Sequence, residues 1–144
     1  PAAAAQQTMP LNANLTGPLP PRFVIPMVPE IRLGQFIARG TSDLLGAVQF
    51  TEANTLHIGI DGTSVAVTDG IGVLAGSGGD ALFINYSGLP IAGTHNADFG
   101  FTVCGGSGRF VGASGSGIIH CVTAADGKTF SRTIQGMVVL PSAA

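Results

Sequence analysis

His120 and Arg132 are the side chains with the clearest chemical potential, because both lie in apolar, alternating segments. A buried arginine needs an anionic partner, since desolvating a guanidinium costs several kcal/mol. The pair is therefore suited to an apolar ligand with a carboxylate or enol, His120 acting as donor or proton carrier. In the structural alternative, Arg132 pairs with a carboxylate such as Glu52 or Asp61, and His120 is only packed.

Two further histidines are weaker candidates. His57 alternates with Leu56 and Ile58, which predicts that it faces solvent. His95 lies in a turn, where hydrogen bonding to the backbone is its ordinary role. No Gly-x-Ser-x-Gly elbow is present, so the sequence does not indicate a hydrolase.

Cys104 and Cys121 are the only two cysteines and flank a glycine-rich segment. Neighbouring strands would bring them together, so we expect a disulfide typical of an oxidising compartment. Two buried free thiols are the alternative. A metal site is not indicated, because His120 adds only one more ligand at no recognisable spacing. No cofactor is expected either.

Residues 104–117 contain six glycines among fourteen residues and lie between two β-patterned stretches. Such density is typical of turns and bulges in a tightly turned antiparallel sheet. The spacing misses the Gly-x-Gly-x-x-Gly pattern and no Gly-Lys-Ser/Thr is present, so a phosphate-binding loop is not predicted.

The chain from residue 31 onward is patterned as short strands. Eight are predicted, over 33–39, 45–51, 55–60, 64–74, 81–86, 99–104, 115–123 and 129–140. Their spacing indicates an antiparallel barrel or sandwich. We favour an all-β, eight-stranded, antiparallel up-and-down barrel, because closure removes the edges of so uncharged a sheet.

The turn around Asp126 and Gly127 decides which residues face inward. A three-residue loop pairs Ala124 with Lys128, whereas a two-residue turn pairs Ala125 with Lys128 and reverses the face. The first register puts 118, 120 and 122 beside 130, 132 and 134, with Cys121 on the other face. We favour it, since a Cys104–Cys121 bond on that other face would make 99, 101 and 103 face the apolar side as well. The predicted lumenal ligand site is then His120, Arg132, Phe101 and Phe130.

Composition limits the possible partners. Charged residues make up 10% of the 144 residues, against about 25% in an ordinary soluble domain. The net charge of −2 without a basic cluster gives no footprint for nucleic acid. No apolar run approaches the roughly 18 residues of a membrane-spanning helix. The Ala-rich start resembles the first residues after a signal-peptide cleavage site, which favours a secreted or periplasmic protein.

The chain divides near residue 30. Seven of nine prolines lie in the first 29 residues and no charge precedes Arg22. Proline lacks the amide hydrogen of a sheet ladder, so we expect residues 1–30 to form an extended arm and residues 31–144 the barrel. The segment 23–28 is the apolar part of that arm, able to lie against another surface.

Three segments carry a family resemblance: 32–36, 68–88 and 105–117, including Gly-Arg-Phe-Val-Gly-Ala-Ser-Gly at 108–115. They resemble bacterial secreted proteins with the allene oxide cyclase barrel-like fold, of which dirigent proteins are more distant relatives. The resemblance covers roughly residues 31–140. It implies an eight-stranded calycin-like barrel, often trimeric, and no particular reaction.

Two function classes fit these observations. The first is a secreted, non-catalytic barrel that self-associates through apolar faces and its N-terminal arm into a ring or filament, with an apolar ligand in the lumen as an option. The second is a small isomerase or cyclase that holds an apolar substrate in the barrel. Sparse titratable groups and a nearly uncharged surface favour the first.

Overall fold

The structure, a computed structural model, describes residues 6–19, 23–25, 28–58, 65–91, 94 and 96–141. These residues form antiparallel strands and two short 3-10 turns. The strands are β1 (Gln7–Pro18), β2 (Phe23–Ile25), β3 (Val28–Ser42), β4 (Gly46–Ile58), β5 (Val65–Ala75), β6 (Ala81–Pro90), β7 (Ala97–Ser107), β8 (Ser114–Thr123) and β9 (Thr129–Leu140). The 3-10 turns are Ser77–Gly79 and Gly108–Phe110.

Eight of these strands close into one barrel, which confirms the predicted fold class. From β3 to β9 each strand pairs with the next in sequence. β1 closes the circle between the two ends of that series, over twelve residue pairs with β9 and four with β3. The short β2 pairs with β3 alone among the described strands. Every described ladder is antiparallel, as in an up-and-down barrel.

β1 differs from the arm expected over residues 1–30, because residues 7–18 belong to the barrel wall. Leu11, Ala13 and Leu15 are buried and alternate with exposed polar residues, which is the pattern of a wall strand. Pro10 is tolerated because it pairs with β9 alone, beyond the short ladder to β3. Pro18 is the last residue of the strand. Residues 1–5, 20–22 and 26–27 of the expected arm lie outside the described residues.

β4 also differs from expectation, because residues 46–51 and 55–58 of two predicted strands belong to a single strand. Residues 59 and 60 of the second predicted strand lie outside the described residues. The predicted break falls at Glu52 and Asn54, two polar residues in an otherwise apolar alternation. Both are buried and point inward, so the alternation continues through them. The count of eight barrel strands is nevertheless right, because β1 supplies the eighth.

Aromatic rings fill much of the lumen, the interior of the barrel. Seven buried aromatic residues face inward: Phe36, Phe50, Tyr86, Phe99, Phe101, Phe110 and Phe130. Several of the rings lie directly over inward positions occupied by glycine. A Cβ added at Gly72 would collide with the Phe50 ring, and one at Gly70 would stand 2.5 Å from the Tyr86 ring. The missing side chains are what make room for the rings.

One end of the barrel is closed by the glycine-rich segment. Phe110, in the turn Gly108–Phe110, is fully buried among the core residues. Gly108 adopts the left-handed conformation there, with φ of 62°. Arg109 holds the turn in place, with Nε 3.2 Å from Asp80 Oδ2 and Nη2 donating to the Leu44 carbonyl at 2.6 Å. The segment is therefore a structural turn, as its composition predicted.

Candidate functional site

Four polar residues meet inside the apolar lumen and form the lumenal cluster: Glu52, Asn54, Tyr86 and Arg132. Glu52 and Asn54 lie two residues apart on β4, so they share the inner face of the wall. Tyr86 stands on β6 and Arg132 on β9. Closure of the barrel brings these three strands around one interior, which places residues 80 positions apart in contact.

Arg132 and Glu52 form a bidentate ion pair. Arg132 Nε donates to Glu52 Oε2 and Nη2 donates to Oε1, each at 3.0 Å. Both residues are only 3% exposed. The Tyr86 hydroxyl donates to Glu52 Oε1 at 2.5 Å and accepts a hydrogen bond from Asn54 Nδ2 at 2.8 Å. The carboxylate is thus occupied on both oxygens, and the guanidinium charge is neutralised within the barrel.

The electrostatics of the cluster follow from burial and from this pairing. Burial is the largest single influence on the Arg132 guanidinium and lowers its pKa, but Glu52, Cys121 and Tyr86 together outweigh burial and raise that pKa above its ordinary value. Burial also raises the pKa of the Tyr86 phenol, and the neighbouring Glu52 carboxylate raises it further. Tyr86 therefore stays a neutral hydrogen-bond donor at any pH near neutrality.

Three phenylalanine rings surround the guanidinium. The Arg132 Cζ atom lies 5.5 Å from the ring centroid of Phe36, 5.2 Å from that of Phe99 and 5.1 Å from that of Phe130. Each ring is within the range of a cation–π contact, which is strongest for a desolvated cation. The rings and Glu52 together give Arg132 the partners that a buried charge requires.

The predicted lumenal ligand site is brought together only in part. Arg132, Phe101 and Phe130 all face the lumen and are nearly inaccessible to solvent. Of the two carboxylates considered for Arg132, Glu52 is the partner, while Asp61 lies outside the described residues. Whether any of these residues contacts a ligand stays a prediction.

His120 lies on the outer face, so the predicted register of the β8–β9 hairpin is wrong. Cys121 pairs with Arg132 in the ladder and His120 pairs with Thr133, which is the reverse of the expected faces. The reason is the turn, which spans residues 125–128 and is closed by Ala124 and Thr129. Gly127 adopts a left-handed φ of 69° as expected, but the loop has four residues, not three. His120 instead hydrogen-bonds Asp98 on β7.

The expected disulfide is absent, because Cys104 and Cys121 lie on opposite faces and far apart along β7. Cys121 stands opposite Ala97, seven residues from Cys104 on that strand. At about 3.3 Å per residue this separation is roughly 20 Å, whereas a disulfide needs Cα atoms within about 7 Å. Cys104 is the extra residue of a β-bulge opposite Phe83 and Ile84, and its thiol donates to the Phe83 carbonyl.

The remaining histidine predictions have different outcomes. His57 lies on the outer face of β4, as predicted, and its Nε2 is 3.1 Å from the Thr68 hydroxyl oxygen. His95 lies outside the described residues.

Two members of the lumenal cluster, Tyr86 and Asn54, were missed by the sequence analysis. The available signal was the alternation of Phe50, Glu52 and Asn54, which places two polar residues on an inward face.

The outer wall carries a second candidate feature, an uncharged apolar surface across β3 to β6. We name it the outer patch; it consists of Ile37, Ile71, Val73 and Phe83, which are 45%, 58%, 39% and 38% exposed. The ladder runs across the wall from Ile37 to Thr51, Val73 and Phe83 in one row, and Ile71 occupies the next row. These large apolar side chains are therefore neighbours, and Thr51, the residue between Ile37 and Val73, is uncharged.

No group of three or more potential metal ligands occurs in the described part of the chain. None of the described residues forms a helix of the length and hydropathy that crossing a membrane would require. Neither a protein-family model, nor a curated protein, nor a solved structure matches this chain. Of the resemblance proposed from the sequence, the structure supports one part, the eight-stranded, closed antiparallel barrel.

Proposed function

We propose that this protein is a secreted, non-catalytic β-barrel that self-associates through its outer wall. The observation that carries the proposal is the outer patch, where four large apolar side chains stand side by side in contact with solvent. Contiguous apolar surface on a soluble protein is typical of an interaction site. A second copy of the chain is the partner that the sequence analysis favoured, and an uncharged patch presents no repulsion to its own copy.

The lumen supports the non-catalytic part of the proposal. Both oxygens of Glu52 accept hydrogen bonds from within the barrel, and Arg132 is matched by that carboxylate. A general base has to be within reach of a substrate proton, and an electrophile has to have charge left to offer. Apart from Arg132 Nη1 and Asn54 Oδ1, the hydrogen bonds of the lumenal cluster join its own members, which is typical of a structural network.

The N-terminal segment adds a backbone contribution to the proposed assembly. Among the described strands, β2 pairs only with β3, so its second edge lies unpaired at the margin of the sheet. An unpaired edge presents backbone donors and acceptors to another chain. In the proposed assembly the outer patch supplies apolar area, and the edge of β2 supplies hydrogen bonds. Secretion and kinship with the allene oxide cyclase-like barrels belong to this proposal as well.

Sedimentation velocity over about 1 to 100 µM tests the assembly. We expect the wild type to sediment as an oligomer, and Val73→Lys or Phe83→Lys to shift it toward the monomer, because each places a charge inside the outer patch. Ile118→Lys is the matched control, since Ile118 is 57% exposed on β8, outside the patch. Deleting the first 29 residues is unsuitable because that removes β1.

The proposal fails if the wild type is monomeric across this concentration range. It fails equally if Ile118→Lys dissociates the assembly as strongly as the two patch variants, because the effect would then reflect added charge in general. Circular dichroism of each variant establishes that the barrel is intact before its mass is interpreted.

A lumenal ligand is a second candidate, favoured by one observation. Asn54 Oδ1 and Arg132 Nη1 are buried and have no hydrogen-bond partner among the described residues. An apolar molecule with a hydroxyl next to a carbonyl would offer a donor to Asn54 Oδ1 and an acceptor to Arg132 Nη1.

Tyr86 is the only tyrosine and the chain has no tryptophan, so intrinsic fluorescence reports on this cluster alone. Unchanged fluorescence in the presence of a hydroxy fatty acid would count against this candidate and the isomerase with it.

A further inference from the structure

A cleft of about 450 Å³ opens on the outer wall, across β5, β6 and β7. Its volume falls within the range of about 300–1,000 Å³ that small-molecule sites occupy. The lining consists of the side chains of Asp69, Ile71, Asn85, Ser87 and Thr102, with Gly70, Tyr86 and Gly100 in the wall. The cleft therefore lies on the outer side of the wall that carries Tyr86 of the lumenal cluster, and it borders the outer patch at Ile71.

A β-bulge in β5 shapes this cleft. Val67 pairs with Gly88 and Gly70 pairs with Tyr86, so the two residues between them have no partners on β6. One of the two is Asp69, whose φ of 51° is left-handed. A non-glycine residue in that conformation is strained, although Asp tolerates it better than most residues. The bulge thus turns a carboxylate toward the cleft at a local conformational cost.

Polar side chains from three strands converge there. The ladder places Ile71 opposite Asn85 and Asn85 opposite Thr102, so these three form one row across the wall. Directly opposite residues have Cβ atoms roughly 5 Å apart. Ser87 and Gly100 form the next row. Asn85, Ser87 and Thr102 offer donors and acceptors, and Asp69 offers acceptors only.

The chemistry of the lining selects the class of ligand. Among the described residues that line the cleft there is no lysine or arginine, and Asp69 would repel an anion. A metal ion would find a single carboxylate, and an apolar molecule would bury four polar side chains without partners. A neutral molecule with several hydroxyl groups can pair with all four, because each hydroxyl both donates and accepts. Ile71 provides apolar contact for the C–H face of such a molecule.

We infer that this cleft binds a saccharide unit. Asp69 accepts hydrogen bonds from the sugar hydroxyls, while Asn85, Ser87 and Thr102 complete the set from the neighbouring strands. Gly100 leaves the floor open, since a Cβ added there would meet no atom within 4 Å. The site does not need a second copy of the chain, because every group in the cleft comes from one chain, although Ile71 also belongs to the outer patch.

Nuclear magnetic resonance of the ¹⁵N-labelled full chain tests this site. Glucose, galactose, mannose and N-acetylglucosamine are titrated separately to about 100 mM, which covers the weak affinities expected of one sugar ring. We expect at least one of them to give saturable shifts centred on the amides of Gly70, Ser87, Gly100 and Thr102. No saturable shift in this region with any of the four sugars would overturn the inference.

Two variants sharpen the test. Gly100→Leu fills the cleft without meeting another atom at Cβ, so the barrel should fold and binding should be lost. Asp69→Asn keeps a residue that tolerates the left-handed backbone and should weaken binding about tenfold, as expected for losing hydrogen bonds to a charged group. Asp126→Asn, in the β8–β9 turn, is the matched control and should bind as the wild type. Wild-type affinity in Gly100→Leu would refute the site.

Discussion

Arg109 and Arg132 are both paired with a carboxylate and both lie over a phenylalanine ring, yet their surroundings are opposite. The side chains of Arg132 and Glu52 are 3% and 0% exposed, whereas those of Arg109 and Asp80 are 57% and 29% exposed. Arg109 closes the glycine-rich end of the barrel from outside, while Arg132 holds strands together from inside. Similar pairings therefore have different energetic consequences.

Because the inner pair is buried, removing one of its partners strongly destabilises the fold, whereas the intact pair itself adds little net stability. Removing one partner leaves a charge inside the apolar lumen, while replacing both by apolar residues removes the desolvation cost as well. The outer pair is hydrated whether or not it forms, so its loss changes little. The inner pair thus determines which strands come together, and the outer pair makes only a small contribution to the stability of one turn.

Arg132→Met should have the largest effect. It leaves Glu52 charged and buried, which we expect to destabilise the barrel by about 3–5 kcal/mol. Combining it with Glu52→Leu should recover much of that loss, because no buried charge then remains. Urea unfolding of the wild type, both single variants and the double variant gives the coupling energy. Additive losses would show that the two residues do not act as a pair.

Tyr86→Phe should have the next largest effect. It removes the donor to Glu52 and the acceptor of Asn54, which leaves buried polar atoms unpaired and should cost about 1–3 kcal/mol. The ring itself is retained, so packing over Gly70 is unchanged. Urea unfolding measures the loss, and Thr51→Val, on the exposed face of the same β4 strand as Glu52, provides the comparison. A loss no greater than that of Thr51→Val would place Tyr86 outside the network.

A rise to alkaline pH should show that Tyr86 is buried in the lumen and not exposed to solvent. The pKa of Tyr86 is raised in the folded protein, whereas the unfolded chain titrates near about 10. The contribution of Tyr86 to stability is thus complete below about pH 10 and declines above it, because only the unfolded state then releases the proton. Ultraviolet absorbance should show phenolate appearing together with unfolding. Phenolate in a protein that is still folded would contradict the buried position of Tyr86.

Arg109→Met should have the smallest effect, about 1 kcal/mol or less, because an exposed ion pair contributes little. The decrease in stability caused by Arg109→Met should be smaller still at high salt, because salt screens the ion pair of the wild type. Thermal unfolding of both proteins at low and high salt checks this. An effect as large as that of Arg132→Met would mean that the glycine-rich end depends on this arginine and not on the burial of Phe110.

The sequence predicts the barrel well because the strands alternate strictly. Phe99, Phe101 and Val103 face inward as predicted, because they alternate with exposed residues, although the disulfide used to orient them is absent. β1 carries the same alternation at Leu11, Ala13 and Leu15, but its prolines outweighed that signal. Prolines exclude a strand only where both neighbours need its amide hydrogen, and this requirement depends on register, which the composition does not contain.

The candidate site is harder to predict, because inward and outward faces exchange when a loop changes by one residue. One extra residue in the turn at 125–128 moved His120 outside and Cys121 inside. The proposed disulfide is excluded separately, by the seven-residue offset between Cys104 and the partner of Cys121 on β7. Arg132 was placed correctly because its strand is apolar on the same face at Phe130 and Ile134. Its partner Glu52 was one of two possibilities, since only the three-dimensional path of β4 distinguishes them.

The pairing of β1 with β9 brings the most distant described parts of the chain together, with Gln7 opposite Leu140. Ladders between residues so distant in sequence form slowly, because the entropy of closing a long loop is lost before the stabilising contacts of the ladder form. During synthesis β1 has only its four-residue ladder to β3 until the last strand emerges. The final step of folding is therefore the closure of the whole circle, and it waits until β9 has been synthesised.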